Sequence, residues 1–145
     1  MIGLIQRVKH ARVEVDKDIT GQIDTGILLF LGVEKDDTTD KMKRLADKVL
    51  NYRIFEDDNG KMNLNLQQVK GELLVVSQFT LVADTMKGNR PSFSSGASPE
   101  HGKAMYDAFI SYIRNMGVKC ETGRFGADMQ VFLQNDGPVT FHLNM

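Results

Sequence analysis

Cysteine, proline and tryptophan are scarce in this 145-residue chain: one, three and none. A lone Cys120 excludes an intrachain disulfide. Within Val118-Lys119-Cys120-Glu121-Thr122 it alternates with polar neighbours. That pattern predicts a half-buried strand residue rather than a catalytic thiol, because Glu121 disfavours a neighbouring thiolate. No run approaches the roughly 18–20 apolar residues of a membrane-spanning helix. The opening Met1–His10 carries Arg7 and Lys9 inside a strand-like pattern and lacks the apolar centre of a secretion signal, so a cytoplasmic protein is expected. Neither sign of charge is in excess: 18 Lys and Arg face 19 Asp and Glu, a net of −1. A protein that coats long nucleic acid shows a basic excess or stripe, so any nucleic-acid contact here is expected to be small and aimed at a terminus.

The usual catalytic kits are also missing. His10, His101 and His142 have no metal-ligand spacing with Cys, Asp or Glu. His142 reads as pointing outward from a strand, and His101 as a surface residue in a first helical turn. There is no phosphate loop, dinucleotide fingerprint or nucleophile elbow. Asp57-Asp58-Asn59-Gly60 lacks the alternating ligands and closing Glu of a calcium loop and reads as a turn. No metal and no cofactor are expected.

What is present is a regular alternation of elements. Ile2 to Val15 is strand-like, Asp16-Lys17-Asp18 a turn, and Ile19 to Ile23 a short strand. Ile27-Leu28-Leu29-Phe30-Leu31-Gly32-Val33 reads as a strand buried on both faces. Thr38, Thr39 and Asp40 offer N-caps to a helix over 40–52, with Met42, Leu45, Ala46, Val49 and Leu50 on its apolar face. Glu72 to Leu81 is a second dense strand, and 84–98 a polar loop. Ser98-Pro99-Glu100 opens a second helix, whose stripe is Met105, Ala108, Phe109, Tyr112, Ile113 and Met116 and whose stop is Gly117. The order predicts one α+β domain over 1–145: two main helices packed on a mostly antiparallel, barrel-like sheet.

Three stretches carry candidate chemistry. In Leu73-Leu74-Val75-Val76-Ser77-Gln78-Phe79-Thr80-Leu81, aliphatics lead into two hydroxyls and an amide. This is either a core strand whose hydroxyls bond the backbone, or a strand end that offers Ser77, Thr80 and the Gln78, Phe79 and Thr80 amides to a ligand. In Arg124-Phe125-Gly126-Ala127-Asp128-Met129, Phe125 and Met129 either grip a planar ring around a turn or fill the core. Asn135-Asp136-Gly137-Pro138-Val139-Thr140 interrupts two strand-like stretches with two poor strand formers. It is either a simple turn or a rigid element that works through its main chain.

Ser77-Gln78-Phe79-Thr80-Leu81 and Asn135-Asp136-Gly137-Pro138-Val139-Thr140 together resemble the paired signatures of the D-aminoacyl-tRNA deacylases, also called D-tyrosyl-tRNA deacylases. Met1–Val8 and Gly123–Met129 resemble the family at matching places, so the resemblance spans the chain. It implies hydrolysis of the ester between a D-amino acid and the 3′-terminal adenosine of tRNA, with glycine mischarged on alanine tRNA also cleared. It implies a homodimer whose sites cross between subunits, Gly137 and Pro138 entering the partner's pocket through a cis peptide. Arg7 matches a residue that supports this loop, and Phe125 and Met129 match positions around the adenosine. An aminoacyl ester is already activated, so the Gln78 and Phe79 amides are candidates for an oxyanion site. Thr80 is a nucleophile or a positioning group; no base is apparent beside it, which favours positioning. The alternatives are a non-catalytic nucleotide or nucleic-acid binding module on the same fold, and a related deacylase with shifted specificity.

Overall fold

A computed structural model describes Met1 through Met145. Strand β1 (Ile2–Val15) turns into β2 (Asp18–Ile23) through Asp16 and Lys17, both at positive φ, 49° and 70°. Such mirror-image turns match the twist of the strands they join. β3 (Gly26–Gly32) pairs antiparallel with the first half of β1, from Ile2↔Gly32 to Val8↔Gly26, while β2 takes the second half. Helix α1 (Thr39–Asn51) follows, then a small hairpin of β4 (Phe55–Glu56) and β5 (Met62–Leu64). β6 (Glu72–Ser77), α2 (Pro99–Asn115), β7 (Cys120–Thr122) and β8 (Gln130–Asn144) complete the chain.

The main sheet runs β2-β1-β3-β6-β7, with β8 antiparallel along β1. It is mostly antiparallel, as the sequence pattern suggested, but not purely so: β6 lies parallel to both β3 and β7. The reason is the two helices. A connection containing a helix of a dozen or more residues carries the chain back to the end from which it started, and the next strand runs parallel. The sheet nearly closes where β2 meets β7. A Cβ on Gly21 would stand 2.3 Å from the Thr122 carbonyl oxygen, so this contact admits only glycine.

Both helices start where the sequence places their caps. The Thr38 hydroxyl accepts the Lys41 N–H at 3.3 Å, and the Ser98 hydroxyl accepts the His101 N–H at 3.2 Å, with Pro99 at the first helical position. Gly117, at φ 79°, follows the end of α2. The stripe of α2 is rotated from its expected position: Tyr106, Phe109, Ile110 and Ile113 are buried, Met105 is half-buried and Met116 is exposed. His101 is half-buried rather than on the surface, its Nε2 donating to the Asp37 carbonyl at 3.0 Å.

β3 and β6 are buried on both faces. Ile27, Leu29, Leu31, Leu73 and Val75 join α1 and α2 in one core; Leu28, Leu74 and Val76 join Val8, Val13 and Ile23 in a second. Each such aliphatic contributes about 1.5–3 kcal/mol of burial. Two cores clamp the C-terminal ends of β3 and β6 from both sides, so whatever emerges there is rigidly placed.

Candidate active site

β3 stops at Gly32 and β6 at Ser77, the Leu31↔Ser77 pair being their last. The Gln78 N–H adds one rung, donating to the Leu31 carbonyl at 2.8 Å. With no neighbour left to pair, the chain tightens into a 3-10 turn, Phe79–Val82, closed by the Leu81 N–H on the Gln78 carbonyl at 3.2 Å. The strand expected to reach Leu81 therefore ends four residues early. Gly32 makes room for the turn: a Cβ there would sit 3.1 Å from Leu81 Cβ and from Val82 Cγ1.

A cavity of about 470 Å³ opens at this strand end. Ser77, Gln78 and Phe79 line it from β6 and the turn, and Ala97, Ser98, Pro99, Gly102 and Tyr106 from the start of α2. Phe125, Gly126, Ala127 and Met129 line it from the segment before β8. Two of the three candidate stretches thus share one largely apolar cavity. Tyr106 was missed by sequence reasoning because it falls beside the expected helical stripe. Its hydroxyl donates to the Val75 carbonyl at 3.0 Å, and burial pushes its pKa up to about 12, so it serves as a fixed neutral wall. Gly123 is the other omission. A Cβ there would stand 2.6 Å from Met129 Sδ, so the thioether occupies the place of a side chain.

The backbone donors are unevenly available. Gln78's N–H is spent on Leu31, which removes it from the expected oxyanion pair. The Phe79 and Thr80 N–H groups, at the start of the turn, meet no protein acceptor. Thr80 is exposed and stands outside the cavity lining. Its hydroxyl accepts a hydrogen bond from the Gln78 side-chain amide. That neighbour is a donor and cannot take a proton, so it does not activate Thr80 as a nucleophile.

The third stretch lies apart from this lining. Val8 pairs with Asn135 and Gln6 with Thr140, so Asp136, Gly137, Pro138 and Val139 bulge out opposite Arg7 alone. The Gly137–Pro138 peptide is cis, and both residues are exposed. Two side chains hold the bulge. Arg7, buried, donates from Nε to the Asp136 carbonyl at 3.2 Å and from one terminal nitrogen to the Ile54 carbonyl at 2.6 Å, and its Nε lies 3.3 Å from the Asp136 carboxylate. Asn135 Nδ2 donates to the Arg7 carbonyl at 2.9 Å and the Val139 carbonyl at 3.0 Å. Asn135 bridges the bulge, a role whose partners are too distant or too irregular to read from the chain. Gly137 is at φ 134°, and a Cβ there would lie 2.6 Å from Val139 Cγ2. Cys120 is a strand residue, as its alternation suggested, but buried rather than half-buried; burial pushes its thiol up to about 11, which disfavours the thiolate at neutral pH.

The model of the D-Tyr-tRNA(Tyr) deacylase family matches residues 4–144. The chain belongs to this family. Full-length relatives named D-aminoacyl-tRNA deacylase include proteins of Pseudoalteromonas atlantica, 64% identical, and Shewanella frigidimarina, 62% identical, each covered completely over 145 residues. A solved structure titled c-Myc DNA Unwinding Element Binding Protein superposes with a TM-score of 0.95 at 37% identity, covering 100% of this chain and 99% of that one. A probable eukaryotic D-amino acid tRNA deacylase shares the fold at a TM-score of 0.83, with 17% identity and 98% of each chain covered. In this D-Tyr-tRNA(Tyr) deacylase family member, the fold match extends over both the cavity and the bulge.

Proposed function

We propose that this chain hydrolyses the ester of D-aminoacyl-tRNA, releasing free D-amino acid and tRNA, and that it works in the cytoplasm as a homodimer. The observation that carries the reading is the cavity that joins Ser77–Phe79 to Phe125 and Met129 in a member of the deacylase family. The apolar side takes the terminal adenine between Phe125 and Met129. The ester carbonyl then lies at the strand end, where the unpaired Phe79 and Thr80 amides stabilise the oxyanion that forms as water attacks. The bond from the carbonyl carbon to the ribose oxygen breaks, and that oxygen takes up a proton. Thr80, held by Gln78, positions the substrate, and the neighbouring ribose 2′-hydroxyl assists the water.

Chirality is read by the bulge. Gly137 and Pro138 are exposed and outside their own chain's cavity, which fits entry into the cavity of a second copy. There the two carbonyls accept the substrate's amino group and occupy the space an L side chain needs. This is selection by a built-in clash, tolerant of the D side chain and open to glycine. Glycine mischarged on alanine tRNA is therefore a second substrate.

The test is the rate of hydrolysis of D-tyrosyl-tRNA against L-tyrosyl-tRNA. Rapid loss of the D ester alone is expected; equal rates would point to a deacylase of shifted specificity. A second reading, nucleic-acid binding without catalysis, takes its support from the 37%-identical relative titled as a DNA-binding protein. It predicts tight binding of tRNA or DNA with no ester turnover.

A further inference from the structure

A second cavity, of about 450 Å³, lies on the far side of the Tyr106 and Phe125 rings, which line both cavities with their centroids 5.6 Å apart. Its character is opposite to that of the first. Lys103, Arg114 and Arg124 line it with a single carboxylate, Asp107, and the hydroxyls of Ser111 and Thr122. Lys103 and Asp107 neutralise each other at 2.6 Å. The Arg114 guanidinium is fixed by two bonds to the Cys120 carbonyl, at 3.1 and 2.8 Å, and faces no carboxylate partner. The Arg124 side chain is exposed and makes no hydrogen bond or ion pair within the chain, while its carbonyl accepts the Ala127 N–H at 3.2 Å. A protein with a net charge of −1 thus keeps two unneutralised guanidinium groups at one place, one rigid and one free.

We propose that this cavity is a phosphodiester subsite, taking a backbone phosphate of the nucleotides that precede the terminal adenosine. The inference rests on the deacylase reading, since it needs a nucleoside in the first cavity. A strand whose last base lies between Phe125 and Met129 has to lead its backbone away over one wall. The Tyr106–Phe125 wall is the one backed by free positive charge. Arg114, already oriented, loses little freedom on meeting an anion, and guanidinium groups match phosphate oxygens in pairs. The hydroxyl of Ser111 supplies a further donor. Contact with one or two phosphates near the 3′ end suits a chain with no extended basic stripe.

The experiment compares two substrates, D-tyrosyl-tRNA and D-tyrosyl-adenosine, the latter having no phosphate. Arg124→Gln and Arg124→Glu are suitable variants, because the side chain is exposed and has no partner to strand. With tRNA, KM is expected to rise about 5- to 10-fold for Gln and further for Glu, with kcat held, as for an interaction made equally in ground and transition states. The slope of log affinity against log salt should fall by about 0.7, the value for one single-strand phosphate contact. With D-tyrosyl-adenosine both variants should match the unaltered protein. An unchanged KM for tRNA, or an equal change with both substrates, overturns the subsite while leaving the deacylase reading intact. Turnover of neither substrate by the unaltered chain overturns that reading and the subsite with it.

Discussion

The strand-end cavity and the Asp136–Val139 bulge are built on opposite plans. The cavity is concave and mostly apolar, and two main-chain N–H donors, of Phe79 in its lining and of Thr80 beside it, are left over where a strand ran out of neighbours. The bulge is exposed at Gly137 and Pro138, and a buried arginine and an asparagine bond the carbonyls on either side of them, those of Asp136 and Val139. One region has donors and a place for a base; the other has acceptors and no cavity. A deacylase that rejects L-amino acids needs both, to stabilise a negative oxygen and to hold a positive amino group. On the proposed reading, the difference teaches why so few side chains stand out as catalytic: donors and acceptors alike would be main chain, with side chains placing them.

The most disruptive way to break this division is Arg7→Ala. It leaves the Ile54 and Asp136 carbonyls without their buried donor and should destabilise the fold by about 3 kcal/mol. Activity on D-tyrosyl-tRNA should fall by at least 100-fold at a temperature where circular dichroism shows the variant folded. Gly137→Ala is the cleaner probe. Its Cβ would meet Val139 at a φ of 134°, so the bulge must move, at a local cost of about 1–3 kcal/mol. Hydrolysis of D-tyrosyl-tRNA should be lost, because the displaced carbonyls no longer hold the amino group, while adenosine affinity in the cavity holds.

Effects on the cavity side should be smaller. Thr80→Ala should retain activity within about 10-fold, because its neighbour Gln78 is a donor and not a base. Total loss with binding intact would require an acyl-enzyme. Gly123→Ala displaces only the flexible end of Met129, so stability should change by less than about 1 kcal/mol. KM should rise with kcat little changed. The smallest effect is on pH dependence. Cys120 has its pKa raised by burial to about 11, so its neutral form is the one the fold favours. The stability it lends is complete below the thiol's ordinary range and lost as pH climbs through about 11. Thermal melts should show a decline beginning above neutral-to-mildly alkaline pH, reduced in Cys120→Ala.

Local signals were legible in the sequence. The caps at Thr38 and Ser98, the Gly117 stop and the doubly buried β3 all lie where residue type and periodicity put them, because their causes act within a few positions. The family motifs also marked Ser77–Phe79, Phe125 and Met129, which the fold gathers into one cavity. What could not be read depends on distant partners. The end of β6 at Ser77 is set by where β3 stops, 45 residues earlier at Gly32. That same edge occupies the Gln78 N–H and leaves those of Phe79 and Thr80 without an acceptor. Arg7 and Asp136 are 129 positions apart, and nothing local in either predicts their pairing. Tyr106 was passed over for Met105 because a one-position rotation of a helix is finer than an apolar stripe defines.

The account stands on the claim that the cavity of one copy works with the bulge of another. Two inactive variants test it directly: Phe79→Pro, which deletes a free donor at the first position of the 3-10 turn, and Gly137→Ala, which displaces the bulge. Each is assayed alone on D-tyrosyl-tRNA, and then the two are mixed after subunit exchange. In a symmetric dimer with crossed sites, half the re-formed dimers are mixed and each has one intact site, so about a quarter of full activity should return. Absence of any recovery, with both variants folded and shown to exchange, would contradict the account and place cavity and bulge at work within a single chain.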